Sequence, residues 1–159
     1  MLNKTPERNY EFRKRLLEVH KTDIRDYDIL PQENEIEVNE EWEIVVYKES
    51  ERVILTAAKD LQDYFFTSMG LSLRLVRTDD IRGEAEKGFK KIVYITKGSV
   101  PELGEALDTP RSYRLIADED RIILCGHDER GAAQASYYLE DLMNMKRAPM
   151  VEKGEEIRK

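Results

Sequence analysis

Cysteine is nearly absent from this chain, which has one, Cys125. No intrachain disulfide can form, and a cysteine-based metal cluster is excluded. Histidine is scarce too. His20 and His127 are far apart in sequence, and neither has a partner at metal-ligand spacing, so no zinc site is expected. No apolar run approaches the roughly 18 residues that a bilayer-spanning helix needs. The N-terminal MLNKTPERNYEFRKR lacks the apolar centre of a secretory signal. Positive charge is in deficit, with 26 Lys and Arg against 33 Asp and Glu and a net charge of −7. Duplex nucleic acid is a poor partner for such a chain, because binding its backbone requires a basic field. These absences predict a cytoplasmic protein with neither a nucleic-acid nor a membrane partner.

What is present suffices for one full core. The 159 residues are enough for one ordinary domain and too few for two. Apolar residues make up 40% of the chain and fall in periodic runs, which argues against wholesale disorder despite 37% charged residues.

The most informative stretch is Arg121 to Met145, RIILCGHDERGAAQASYYLEDLMNM. A short apolar strand ends at Cys125, a tight connection runs from Gly126 to Gly131, and an amphipathic helix follows from about Asp128. Ala132, Ala135, Leu139, Leu142 and Met143 share one face of that helix, while Glu140 and Asp141 are expected to point outward.

Upstream, Phe12, Leu16 and Val19 predict a helix over 8–20, with the run Arg13-Lys14-Arg15 on a solvated face. Residues 21–41 read as an extended lead-in broken by Pro31, with a short strand near 35–38. Trp42 to Tyr47 is rich in β-formers and predicts a strand. The next helix is expected to be capped by Ser50, to run to about Ser68 and to stop before Gly70. Leu71 to Val76 and Lys91 to Thr96 predict further strands, and the polar 77–88 segment between them predicts a loop. Ser112 to Ala117 and Arg121 to Cys125 flank the acidic turn Asp118-Glu119-Asp120, the pattern of a hairpin, so one edge of the sheet should be antiparallel. Residues 152–159 read as a charged tail. The order predicts an α+β fold (an α/β sandwich) with one mixed sheet and helices packed mainly on one face. The other face is expected to be polar or to need a covering layer.

Little in this pattern points to chemistry. Gly126 and Gly131 sit where a phosphate-binding turn would lie, but neither GxxxxGK[ST] nor GxGxxG is present, and Asp128 and Glu129 would repel an anion. The glycines instead suit a tight turn and close helix packing. His127 with Asp128 or Glu129 is the one conceivable acid–base arrangement, and capping is the plainer role for those acids. Cys125, inside an apolar run, reads as a buried structural thiol. Trp42, Tyr94, Tyr137 and Tyr138 could stack on sugars, but aromatics in apolar runs usually belong to the core. Met143, Met145 and Met150 form an apolar strip suited to facing another domain.

Three groups of residues carry a resemblance. They are Ile122-Ile123-Leu124-Cys125-Gly126 with Arg130-Gly131-Ala132, then Tyr137-Tyr138-Leu139-Glu140-Asp141-Leu142, then Arg147-Ala148-Pro149. With Ala57-Ala58-Lys59-Asp60-Leu61 upstream, they resemble the accessory domain that precedes the catalytic barrel in β-N-acetylhexosaminidase-like and α-glucuronidase-like glycoside hydrolases. The resemblance covers roughly 42–151 and implies an accessory domain there, with a tail over 152–159 leading toward a (β/α)8 barrel outside this chain; the N-terminal helix and extended lead-in over 1–41 depart from the family. It implies a non-catalytic structural domain of a hydrolase, packed on its own barrel. No catalytic, cofactor-binding or metal residues carry over, and no cofactor is expected. The other readings are a stand-alone carbohydrate-binding module, a small independent hydrolase using the Gly126–Gly131 loop, and a homo-oligomer.

Overall fold

The runs WEIVVY, KIVYIT and RIILCG form the centre of a six-stranded sheet in the computed structural model, which describes residues 20–159. The expected helix over 8–20, with its Arg13-Lys14-Arg15 face, lies outside those residues, His20 excepted. In chain order the elements are β1 (Glu35–Glu37), β2 (Glu43–Tyr47), α1 (Arg52–Met69), β3 (Arg74–Thr78), α2 (Ile81–Lys87) and β4 (Lys91–Thr96). A 3-10 turn follows at Pro101–Gly104, then β5 (Tyr113–Ala117), β6 (Arg121–Gly126), α3 (Glu129–Lys146), β7 (Met150–Glu152) and β8 (Gly154–Arg158).

The sheet order is β3-β2-β4-β6-β5-β8. β3, β2, β4 and β6 run parallel, and β5 is antiparallel to both β6 and β8. This is the expected α+β arrangement with a mixed sheet and an antiparallel edge. β1 pairs with β7 in a separate two-stranded ribbon.

Register explains the two faces. Ile44, Ile92 and Ile122 align across β2, β4 and β6, and with Tyr94 and Leu124 they meet α1 and α3 in the larger core. The alternate residues Val45, Val93, Ile95, Ile123 and Cys125 point to the other side. That second face is neither polar nor bare, because Ile81 and Ala85 of α2, with Val100 and Leu107, bury it. The polar 77–88 segment is thus partly helical. Its sequence hides this, since seven residues with two apolar positions give too little periodicity to read. Asp80 makes the start, its side chain accepting from Gly83 N at 3.0 Å.

Three other boundaries differ from expectation. The strand expected over 71–76 begins at Arg74, where it can pair with Glu43, and Leu71 and Leu73 join the core ahead of it. The charged 152–159 segment contributes β8, which pairs with β5 from Gly154 to Arg158. Its charged side chains suit an edge strand, where they discourage pairing with another chain. Ser50 does not cap α1. The Ncap residue is Glu51, without a cap bond from its own side chain. Glu129 reaches over from α3 instead, accepting from Glu51 N at 3.1 Å and Ile54 N at 3.4 Å. Glu129→Ala is therefore expected to cost about 1 kcal/mol in urea unfolding, whereas Ser50→Ala should stay within about 0.5 kcal/mol.

The lead-in is tied to the domain at both ends. Asp23 N donates to Thr67 O, Ile24 N to Ser68 O and Arg25 Nη1 to Met69 O, satisfying carbonyls that the last turn of α1 leaves free. Asp26 N donates to Arg147 O at the end of α3. Ile36 and Val38 lie in the main core.

Candidate functional site

The Gly126–Gly131 loop is committed to structure. Asp128 is the Ncap of α3, its side chain accepting from Gly131 N at 2.8 Å. Glu129 caps α1 as described. His127 has Nδ1 2.7 Å from the Leu107 carbonyl, so its ring fastens the loop that covers the second sheet face. The glycines mark close approach. A Cβ on Gly126 would lie 2.1 Å from Ala132 N, and one on Gly131 would lie 2.3 Å from Ser112 O. Gly131 N, which a phosphate would need, already donates to Asp128.

The remaining expected residues fall mainly in the core. Cys125 is buried, and desolvation pushes its thiol up to about 11, far from a reactive thiolate. Trp42 and Tyr94 are buried, and Tyr94 Oη sits 2.5 Å from Ser136 Oγ. Tyr137 is partly exposed, at 38%. Of the methionine strip, Met145 is 76% exposed, while Met143 and Met150 are buried. Met145 borders an open groove of about 560 Å³ between α3, β8 and the β1–β7 ribbon.

The unusual chemistry lies elsewhere, where α1 and α3 pack together. Glu140 does not point outward. It follows Ser136 by four residues and precedes Met143 by three, which places it on the buried side of α3. Asp60 stands on α1 four residues before Tyr64. His20 enters from the lead-in. Its Nε2 lies 3.0 Å from Asp60 Oδ1 and its Nδ1 lies 3.8 Å from Glu140 Oε1. The His20 side chain is 6% exposed and that of Glu140 9%. Among the described residues, Asp60 Oδ2 and Glu140 Oε2 are buried without a hydrogen-bond partner. Burial first, and then neighbouring Asp60, hold the Glu140 carboxyl well above the ordinary carboxylate range. Tyr64 completes the surroundings. Its ring meets the His20 ring edge-on at 5.2 Å, and its hydroxyl donates to Asn144 Oδ1 at 2.8 Å. Desolvation raises this phenol as well.

Sequence reasoning missed this cluster because its members are 40 and 80 residues apart, so no spacing rule applies. A partial signal existed. Ser136, Glu140 and Asn144 recur every four residues along α3, a polar stripe beside the apolar face.

No protein-family model matches the chain, and no curated protein matches it in sequence. Solved structures do share its fold. A family GH115 4-O-methyl-α-glucuronidase with specificity for decorated arabinogalactans aligns at a TM-score of 0.53 and 14% identity, over 82% of this chain and 18% of its own. CpGH84D aligns at a TM-score of 0.53 and 10% identity, over 81% of this chain and 22% of its own. This chain therefore spans about a fifth of each. The fold is that of a small domain resembling parts of glycoside-hydrolase chains. No helix among the described residues is long and apolar enough to cross a membrane.

Proposed function

We propose that this chain is a non-catalytic N-terminal structural domain of a larger carbohydrate-active glycoside hydrolase, packed against a following (β/α)8 barrel. The observation that carries this reading is the extent of the fold likeness, four fifths of this chain against a fifth of two much longer carbohydrate-related chains. The groove beside Met145 supports it. An exposed methionine at the margin of an open apolar and polar groove is a surface that a neighbouring domain can cover. The independent-hydrolase reading draws no comparable support, because the polar groups of the Gly126–Gly131 loop serve as caps and anchors. The sugar-binding reading loses Trp42 and Tyr94 to the core.

An activity assay tests the non-catalytic part. The purified chain is incubated with chromogenic β-N-acetylhexosaminides and α-glucuronides. No hydrolysis above the buffer rate is expected. Hydrolysis that His127→Ala abolishes in a folded variant would establish the independent-hydrolase reading instead.

A further inference from the structure

The His20–Asp60–Glu140 cluster has no role in the domain-packing function and stands independently of it. We propose that His20, Asp60 and Glu140 bind one divalent first-row transition-metal ion, of which zinc is the type, and that this ion fastens the 20–26 segment to α1 and α3.

The donor set comes first. One imidazole nitrogen and one oxygen from each carboxylate lie within 4.8 Å of one another. Zinc takes imidazole nitrogen and carboxylate oxygen at about 2.0–2.2 Å. Asp60 Oδ1 faces His20 Nε2 and Glu140 Oε1 faces Nδ1, so binding one ion requires one carboxylate to turn toward the nitrogen that the other already faces. The three residues come from three separate parts of the chain, so a bound ion would link elements that sequence leaves far apart.

Buried, unpartnered atoms supply the second and independent observation. Glu140 is more than nine-tenths buried by side chain, its Oε1 faces His20, and its Oε2 has no hydrogen-bond partner among the described residues. Asp60, whose side chain is 19% exposed, likewise has its Oδ2 buried with no partner among the described residues. Buried carboxylate oxygens without partners are costly unless paired or bound to a metal. Two carboxylates and a neutral imidazole balance the charge of one divalent cation. The donor mixture also selects among ions, since imidazole suits zinc and its neighbours while calcium and magnesium prefer all-oxygen sites.

Access and support are present as well. A pocket of about 480 Å³ reaches His20 between Tyr64, Ser68, Asn144 and Arg147, and opens a path from solvent to the imidazole side of the cluster. Tyr64, held by Asn144, packs edge-on against the His20 ring and fixes its orientation. The role this assigns to the ion is structural.

The test uses the full chain without a histidine tag, stripped with EDTA and dialysed. It is titrated with ZnCl2 by calorimetry and with CoCl2 by visible absorption. The expected result is one equivalent of zinc, ligand-field bands with cobalt, and no response to MgCl2 or CaCl2. At zinc a hundredfold above its Kd, Tm should rise by about 5–10 °C. His20→Ala and Glu140→Gln should each bind zinc at least about tenfold more weakly, with far-UV circular dichroism showing that both are folded. Glu140→Gln guards against misfolding as the cause, because that change is not expected to weaken the metal-free fold. Absence of zinc uptake would overturn the proposal. So would uptake that both variants retain, which would place the ion at an adventitious surface site and leave the cluster a hydrogen-bonded clasp.

Discussion

Replacing Gly126 with alanine is expected to destabilise the fold by about 3 kcal/mol or more, the upper range for overpacking a tight contact. The added Cβ would stand 2.1 Å from Ala132 N and 2.2 Å from Asp128 O. Both are backbone atoms of the first turn of α3, so no side-chain rotation can make room. Relief requires α3 to move away from the end of β6. That would disturb the packing of Ala132 and Ala135 in the core and, through Glu129, the start of α1. Gly98 gives the control, since a Cβ there meets its nearest atom, Thr96 Oγ1, at an ordinary 3.7 Å. Gly98→Ala should change stability by less than about 0.5 kcal/mol. Urea unfolding of both variants checks the contrast. A loss of less than 1 kcal/mol for Gly126→Ala, by the same scale, would mean that this junction is looser than its geometry requires.

Glu140→Gln is expected to stabilise the metal-free protein by about 1–3 kcal/mol at pH 7, with a gain that depends on pH. Folding raises the Glu140 carboxyl above its ordinary 4.5, so the folded state binds more protons than the unfolded state over the interval above that value. Stability linked to this proton is complete below about pH 4.5 and is lost progressively as pH rises toward the folded value. A neutral amide removes that loss and can donate to Asp60. His20, Asp60, Asp63, Asp141 and Tyr64 surround the group and remain in both proteins. The difference between variant and parent therefore isolates position 140. Urea unfolding in EDTA at pH 5, 6, 7 and 8 should show this difference growing with pH. A difference that stays flat, or that favours glutamate at pH 8, would contradict a raised carboxyl.

The contrast between these two sites shows what the chain discloses before folding. The junction at Gly126 is local. A β-rich run, two glycines, an acid at the cap position and a row of alanines lie within a dozen residues, and together they specify a strand packed closely against a helix. The two main helices, the hairpin edge and the stop at Gly70 were legible for the same reason, since caps and periodicity act over a few residues. What escaped was set by contacts at long range. α1 takes its cap from Glu129, more than 70 residues away, in place of the adjacent Ser50. The charged residues of β8 became a strand because β5 offers an edge. Glu140 is polar, so it reads as an outward residue until His20 and Asp60 are brought beside it. The second sheet face was hidden by the brevity of α2, in which Ile81 and Ala85 supply the whole apolar signal.

Whether this domain serves a larger hydrolase is tested most directly by the size of the native polypeptide in the cells that make it, read by blotting with an antibody raised against this chain. The proposed function predicts a band several times heavier than 18.7 kDa, the mass of these 159 residues. A single band at 18.7 kDa would contradict it, because the domain would then have no covalent catalytic partner.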